Sequence, residues 1–447
     1  MNTIDEIKSR VNIVDIVSEV VELRKSGRAL QGFCPFHHNV NTPAFTVYPD
    51  TQSFYCFGCH AAGTVFDFVM RQRGLEFRET MELLAAHAGI ELKPRTVEDE
   101  AQDRQRTRMQ ELNALAARYF NYVLVQHARG QPGRDYLAGR DLTEQTIEAF
   151  QLGYALNERG HLLHYLTERK GYAIDEVVAA GLVIYHEERG YYDRFRGRLM
   201  FPIRNQKGAV VGFGGRALGD AQPKYMNTPQ TLLFDKSQTL YGLDMARDHI
   251  RQSDACVVVE GYVDVLTAHQ HGFRNVVAPL GTALTSGHVG LIKKLSQHVY
   301  LALDADAAGR SATMKGLRAL QDTSDADDTR LHAVVTGQGA VHWANDINLR
   351  IIQLPDGNDP DDVIKKDAAH WRRLIDEALP VVDFYISAYT ADLDLSNAQH
   401  QRTALDRLLP VLAQLEGTQQ RVYIARLEHV IGIRAEVILD LLREQRS

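Results

Sequence analysis

Hydrophobic and polar positions change their rhythm several times along the 447-residue chain. The opening "MNTIDEIKSRVNIVDIV" is charged and helix-periodic, which predicts an amphipathic helix and excludes a signal peptide. "PAFTVY" and "SFYCF" alternate and are rich in aromatics, as paired strands are. "VFDFVMRQRGLEFRETMELLAAHAGIEL" returns to helical spacing and stops at Pro94. "RTVEDEAQDRQRTRMQ" then mixes charges with few large apolar residues, predicting a linker or solvated helix start and a domain boundary. Helical spacing resumes from about Ala116 to Leu182. "RLMFPIR" and "AVVGFGG" flank "NQKG" and predict a hairpin. Four short apolar runs follow: "ACVVVEGYVDV", "NVVAPLG", "HVYLALDADAAGR" and "LRIIQLPDGNDPDDVI". Helical segments separate them, so they predict a β-α repeat with parallel strands.

A chain of this length implies two to four domains. The apolar share of 45% and charged share of 24% are ordinary for a soluble enzyme. No apolar run is long enough to span a bilayer, and a cytoplasmic location without membrane contact is the expectation. The net charge of −7 argues against a generally basic binder but leaves room for a basic groove. Four cysteines do not make a disulfide framework. Cys256 opens an apolar run and is expected to be a small buried residue. Cys34 with His37, and Cys56 with Cys59, form two knuckles whose tight turns aim soft ligands at one ion. Cys3His is a closed tetrahedral set for a single structural Zn2+. His38 and His60 are neighbouring imidazoles that compete as ligands, but the C-x-x-H spacing favours His37. The aromatics of this segment, with Arg24, Lys25 and Arg28, suit a single nucleic-acid strand; a folding staple is the alternative.

Arg194, Arg196 and Arg198 recur every second residue, so on a strand they would share one face. Phosphate suits such a face. A solvated sheet edge protected by charge competes with that reading. "GFGG" is not followed by the helix and acid of a dinucleotide site. In the β-α repeat, ligands bind beyond the carboxyl ends of the strands. Those ends carry Glu260, Asp304, Asp306, Asp359 and Asp361, with Asp264 four residues after Glu260. So many carboxylates cannot all ionise together without cations, and hard oxygen ligands point to Mg2+ or Mn2+.

"EGYVDV", "DADAAGR" and "DGNDPDD" resemble the three signature segments of a TOPRIM domain. "FCPFHHNVNTPAFTV…FYCFGCHAAGTVFDFVM" resembles the zinc-binding domain of bacterial DNA primases of the DnaG type. "RFRGRLMFPIRNQKGAVVGFGGRAL" and "PKYMNTPQTLLFDKSQTLYGLD" are similar to the polymerase core of that family. The resemblance covers nearly the whole chain, in family order. It implies that Cys34, His37, Cys56 and Cys59 hold zinc. Glu260, Asp304 and Asp306 would bind the catalytic magnesium, supported by Asp264, Asp359 and Asp361. Arg196, Lys224, Tyr225, Asn227 and Lys236 would line the groove for template and nucleotide. The chain departs from the family in Ala305, where glycine is usual, in a ribbon loop one residue longer, and in an insertion around 321–348. A surface hairpin is the expectation for that insertion.

The expected architecture is multidomain α+β. A zinc ribbon spans 1–95, a linker 96–115, and a basic N-terminal subdomain of the core 116–253. A parallel-sheet TOPRIM subdomain spans 254–367 and helices 368–447. The implied activity is synthesis of short RNA primers on single-stranded DNA from NTPs. Competing readings are a TOPRIM nuclease or topoisomerase, and a non-catalytic nucleic-acid-binding module. Leu405, Leu408, Leu409 and Leu412, then Val422, Ile424, Leu427 and Ile431, recur at helical spacing near the C-terminus. So short a set of helices is too small for its own core and is expected to pack on the TOPRIM sheet. The resemblance implies a further helical, helicase-docking domain past the core, and only Ala391 to Ser447 remains for it, so a chain without that helicase contact is expected, and a monomer.

Overall fold

The computed structural model describes residues 3–37, 42–59, 61–92, 96–281, 284–302, 333–335, 341–343, 347–355, 357–413, 415 and 417–444. The segments 333–335 and 341–343 and residue 347 are described by their backbone alone. The chain divides into two compact units, Met1–Gln102 and Asp103–Ser447.

The first unit is built on an antiparallel sheet of five short strands in chain order: Arg24–Ser26, Ala29–Gly32, Phe45–Tyr48, Ser53–Cys56 and Ala62–Thr64. Alternation in "SFYC" buries Phe54 and Cys56 and turns Ser53 and Tyr55 outward. Phe45 stacks on Phe54 at 5.2 Å, and Phe68 of the helix Val65–Arg73 meets that pair edge-on or tilted at 5.7 and 6.0 Å. Such ring pairs add roughly 0.5–1.5 kcal/mol each beyond their burial. The helix starts where the Asp67 carboxylate accepts from the Thr64 N–H at 2.7 Å, and it ends at Gly74 in the left-handed region.

The boundary between the units falls inside a 29-residue helix, Val97–Val125. The expected linker at 96–115 is therefore helical, and Met109, Leu112 and Asn113 within it are buried. The physical reason is spacing. Met109, Leu112, Ala116 and Phe120 fall three to four residues apart and form one apolar stripe, which the surrounding charges mask.

Among its described residues the second unit holds two large sheets and a two-stranded one, Val183–His186 with Gly190–Asp193. Four antiparallel strands lie in the order Tyr225–Asn227, Val210–Ala217, Arg198–Arg204, Gly153–Ala155. The hairpin at "NQKG" forms as expected, with the Asn205 side chain accepting from the N–H groups of Lys207 at 2.9 Å and Ala209 at 3.1 Å. The larger sheet places Val276–Val277, Cys256–Val258, His298–Ala302 and Ile347–Ile352 side by side and parallel. Strands Val341–Trp343 and Ala333–Val335 continue it antiparallel, so a hairpin does occupy the insertion and extends the sheet.

Period-two alternation decides what each face of this sheet covers. Val257, Val259, Ala302 and Ile352 join a core shared with Phe201, Phe213, Tyr241 and Tyr262. Cys256, Val258, Val299, Leu301, Leu349 and Ile351 face the other way. There they meet the helices Val381–Thr390, Ala398–Ala413, Gly417–Ile431 and Ala435–Glu444 through Phe384, Leu405, Leu408, Ile424 and Leu427. The C-terminal helices thus pack on the parallel sheet, each buried leucine contributing about 1.5–3 kcal/mol before entropy. Among the described residues, no helix is long and apolar enough to cross a membrane.

Candidate metal centres and nucleic-acid cavity

In the first unit, the Sγ atoms of Cys34 and Cys59 lie 3.8 Å apart, and the Cys56 Sγ lies 3.8 Å from the His37 Nδ1. All four ligand atoms fall within 4.8 Å of one another. Tetrahedral zinc with bonds of about 2.3 Å to sulfur needs ligand separations of about 3.8 Å, the spacing of these two pairs, so the donor set suits the ion. Burial pushes the Cys34 thiol up to about 12 in the absence of charge compensation. A divalent cation reverses that penalty by binding the thiolate. Gly58 is required inside the second knuckle: a Cβ there would stand 2.6 Å from the His37 ring. His38 and His60, the competing imidazoles, lie outside the described residues. Phe33 and Phe57 are about half exposed beside this centre, and the strand Arg24–Ser26 is exposed throughout.

The second unit carries a cavity of about 300 Å3 at the carboxyl ends of the parallel strands. Glu260 reaches it from the turn after Cys256–Val258. Asp359 and Asp361 reach it from the N-terminus of the helix Pro360–Lys366, which follows Ile347–Ile352. These two strands flank His298–Ala302 on either side. Asp304 and Asp306, two and four residues beyond that central strand, lie outside the described residues.

Asp264 does not stand among the acids as an open ligand. Its carboxylate accepts from the Gly261 N–H at 3.0 Å and from the Asp361 N–H at 3.3 Å. It therefore clasps the Glu260 turn to the helix that brings Asp361. Asp361 is buried and pairs with Arg140 at 3.2 Å and Lys365 at 3.0 Å. Partial burial, and then the carboxylates of Asp361 and Asp362, raise the pKa of Asp359, while Arg140 and Lys224 pull the other way. One oxygen each of Asp359, Asp361 and Asp362 lies within 4.8 Å of the others, a separation that one hard cation bridges. Asp362 escaped the sequence reading, although its position one residue after Asp361 at a helix start was visible.

The basic wall differs from the expected one. Arg194, Arg196 and Arg198 do not share a strand: Gly190–Asp193 ends before them and the next strand begins at Arg198. Gly197, at φ +59°, turns the chain between. Arg198 is buried, and its guanidinium donates to the carbonyls of Pro223 at 2.9 Å, Gly215 at 3.3 Å and Lys224 at 3.4 Å. It braces the segment Pro223–Lys224 that leads into the strand Tyr225–Asn227. Arg194 is half-buried and Arg196 is exposed over the Tyr192 ring, and neither lines the cavity. Nor does Lys236, whose carbonyl accepts from His288 at 2.8 Å.

Lys224, Tyr225 and Asn227 do line it. Asn227 is held from both sides: its amide donates to the Leu280 carbonyl at 2.9 Å, and its oxygen accepts from the Tyr262 hydroxyl at 2.7 Å. Gly214 makes room for that tyrosine, since a Cβ would fall 2.3 Å from its hydroxyl. Arg216, and Arg140, which the sequence reading did not reach, complete the wall. The Arg216 guanidinium lies 4.3 Å from the centre of the Tyr136 ring, and its Nε and Nη1 are buried without a hydrogen-bond partner among the described residues. Such unpartnered donors suit an anionic ligand. Arg140 sits more than a hundred residues before the acids, so no local pattern links it to them.

A structural zinc ribbon, a basic wall and carboxylates at the ends of parallel strands define the class: a metal-dependent enzyme acting on nucleotides through a Toprim fold. Comparison with known proteins narrows it. Residues 1–100 match the family model described as CHC2 zinc finger, and 119–247 the DNA primase catalytic core, N-terminal domain. Residues 254–332 match the Toprim domain, and 382–436 the DnaB-helicase binding domain of primase. A DNA primase of Clostridium acetobutylicum is 35% identical over 442 residues, which cover 98% of this chain and 69% of that protein. The crystal structure of the Aquifex aeolicus primase zinc-binding and RNA polymerase domains superposes with a TM-score of 0.59 at 27% identity, covering 98% of this chain and 99% of that one. A DnaG primase catalytic domain bound to ssDNA gives 0.59 at 31% identity, over 74% of this chain and 98% of that one. The chain belongs to the DnaG-type bacterial DNA primases, nucleotidyltransferases that synthesise RNA primers. Its cofactors are zinc in the ribbon and a divalent cation at the Toprim acids.

The match at 382–436 corrects the expectation that the helicase-docking contact is missing. Packing on the sheet consumes one side of each C-terminal helix. It says nothing against a partner on the other.

Proposed function

We propose that the cavity beside Glu260 is where the growing primer, the incoming NTP and the template meet. One observation carries the assignment of residues: the same cavity brings Glu260, Asp359 and Asp361 together with Arg140, Arg216 and Lys224. Glu260 and Asp359, with Asp304 and Asp306, which follow His298–Ala302 in sequence, would hold the divalent cation. When bound, that cation neutralises triphosphate charge and favours attack of a 3′-hydroxyl on the α-phosphate. Lys224 and Arg216 take phosphate oxygens, Arg216 with donors already stripped of water. Tyr225, about two-fifths exposed, offers a ring for a base. Asn227 and Asp264 position the walls. A single-stranded DNA template is the partner this wall suits, and the C-terminal helices supply the surface for a replicative helicase. The protein works in the cytoplasm on this reading.

The test is primer synthesis by the purified chain on single-stranded DNA with NTPs and Mg2+ or Mn2+. Glu260→Gln is expected to lower synthesis at least about a hundredfold while template affinity stays within twofold, because it removes a cation ligand and no phosphate contact. Retained synthesis in Glu260→Gln would remove Glu260 from the centre.

A further inference from the structure

Arg216 lines the carboxylate cavity with its Nε and Nη1 buried and without a hydrogen-bond partner among the described residues. Among those residues no ion pair holds its guanidinium. What fixes it is aromatic. The guanidinium carbon lies 4.3 Å from the centre of the Tyr136 ring and 5.6 Å from that of Tyr225, its cross-strand neighbour. Both separations fall inside the range, about 6 Å, at which the electron-rich face of a ring attracts a cation.

Tyr136 does not line the cavity and stands behind its wall. It belongs to the helix Gln131–Gly139, which ends at Arg140, four residues on and therefore on the same face. Gly133 lets that helix lie close against its neighbours, since a Cβ there would stand 2.7 Å from Leu124 and 3.3 Å from Tyr154. Arg140 has an anchor of its own in Asp361 at 3.2 Å and lies farther from the Tyr136 ring, at 5.8 Å. The nearer cation of this ring is thus Arg216. The Tyr136 hydroxyl is buried and has no hydrogen-bond partner among the described residues. It is the ring of this tyrosine, and not its hydroxyl, that makes the contact.

A ring holds a cation in a way that an acid cannot. A carboxylate beside Arg216 would fix it but would cancel the charge that a phosphate needs. An aromatic face fixes the plane of the guanidinium and leaves its charge and its donors for the ligand.

We propose that Tyr136 is a positioning residue for NTP recognition, its ring face holding the Arg216 guanidinium towards the triphosphate. The inference rests on the reading that Arg216 takes phosphate oxygens.

The experiment is steady-state primer synthesis by the full chain on single-stranded DNA as the NTP concentration is varied. Tyr136→Leu is expected to raise the KM for NTP about three- to tenfold with kcat within about twofold, the mark of lost binding shared by ground and transition states. Tyr136→Phe should restore the KM, because the hydroxyl is not used. A ring-fluorinated phenylalanine at position 136 keeps the packing but weakens the negative face of the ring, so the KM should rise about twofold or more above that of Tyr136→Phe. A packing role alone predicts the same KM for the two phenylalanines, and that result would overturn the proposal. In an Arg216→Ala background, which should itself raise the KM, Tyr136→Leu should add less than about twofold. Its full effect there would also overturn the proposal. An unchanged KM in Arg216→Ala alone would remove the phosphate reading of Arg216 and this inference with it. A raised KM in Arg216→Ala beside an unmoved fluorinated variant would remove this inference only.

Discussion

Arg198 and Arg196 show how two residues of one type in one motif have opposite duties. Arg198 is buried with three carbonyl partners, so Arg198→Ala removes the donor that Pro223, Gly215 and Lys224 share and opens a cavity, although Lys224 keeps the Ala217 N–H at 2.9 Å. A loss of about 2–4 kcal/mol in urea unfolding is expected. Arg196→Ala, at an exposed position, should stay within about 0.5 kcal/mol. The zinc ligands are equally specific. Cys56→Ala should release the single zinc, read by metal analysis. It should leave the unfolding of the second unit unchanged, because Cys56 belongs to the core of the first unit alone.

At the scale of the element, Asp193 ends the strand Gly190–Asp193 and starts the helix His161–His164 by accepting from the N–H groups of Leu162 and Leu163, both at 2.9 Å. Burial pushes its pKa up to about 6, the backbone donors offsetting part of the penalty. The folded state therefore holds a proton that the unfolded chain releases near pH 4. Its contribution to stability is fully present below about pH 4 and is lost as pH rises towards 6. The expected loss is up to about 3 kcal/mol, since a tenfold change in proton affinity corresponds to about 1.4 kcal/mol. Comparing Asp193→Asn with the parent across pH 4–7 isolates it: the variant should gain stability relative to the parent as pH rises, and a flat difference would contradict the assignment.

For the whole molecule, the C-terminal helices serve two surfaces. Their inner sides close the parallel sheet, while Val422, Val430 and Val437 remain 36–53% exposed. Isolated exposed valines are ordinary, but these lie in or one residue beyond the segment matching the helicase-binding model. Val430→Glu with Val437→Glu is expected to weaken capture by the cognate replicative helicase at least about tenfold, as buried charge at an interface costs several kcal/mol. Primer synthesis should be unchanged. Loss of both together would mean the helices had been disturbed as a whole.

Local chemistry was enough for the zinc centre, because two knuckles put their ligands within a few residues of each other and the ion's geometry does the rest. The parallel strands were legible too, since apolar runs broken by helices permit few other arrangements. Glu260, Asp359 and Asp361 followed from the rule that such strands present their carboxyl ends together. What sequence could not settle was direction. Alternating arginines suggested one strand face, but Gly197 breaks the strand and buries Arg198. A charged stretch suggested a linker, but its sparse apolar stripe suffices once a core is there to receive it. Arg140 enters the cavity wall only through folding, which brings it within 3.2 Å of Asp361 across 221 residues of chain. Periodicity determines which residues are buried or share a face; only tertiary contact decides which charges become neighbours, because electrostatics depends on distance in space and not along the chain.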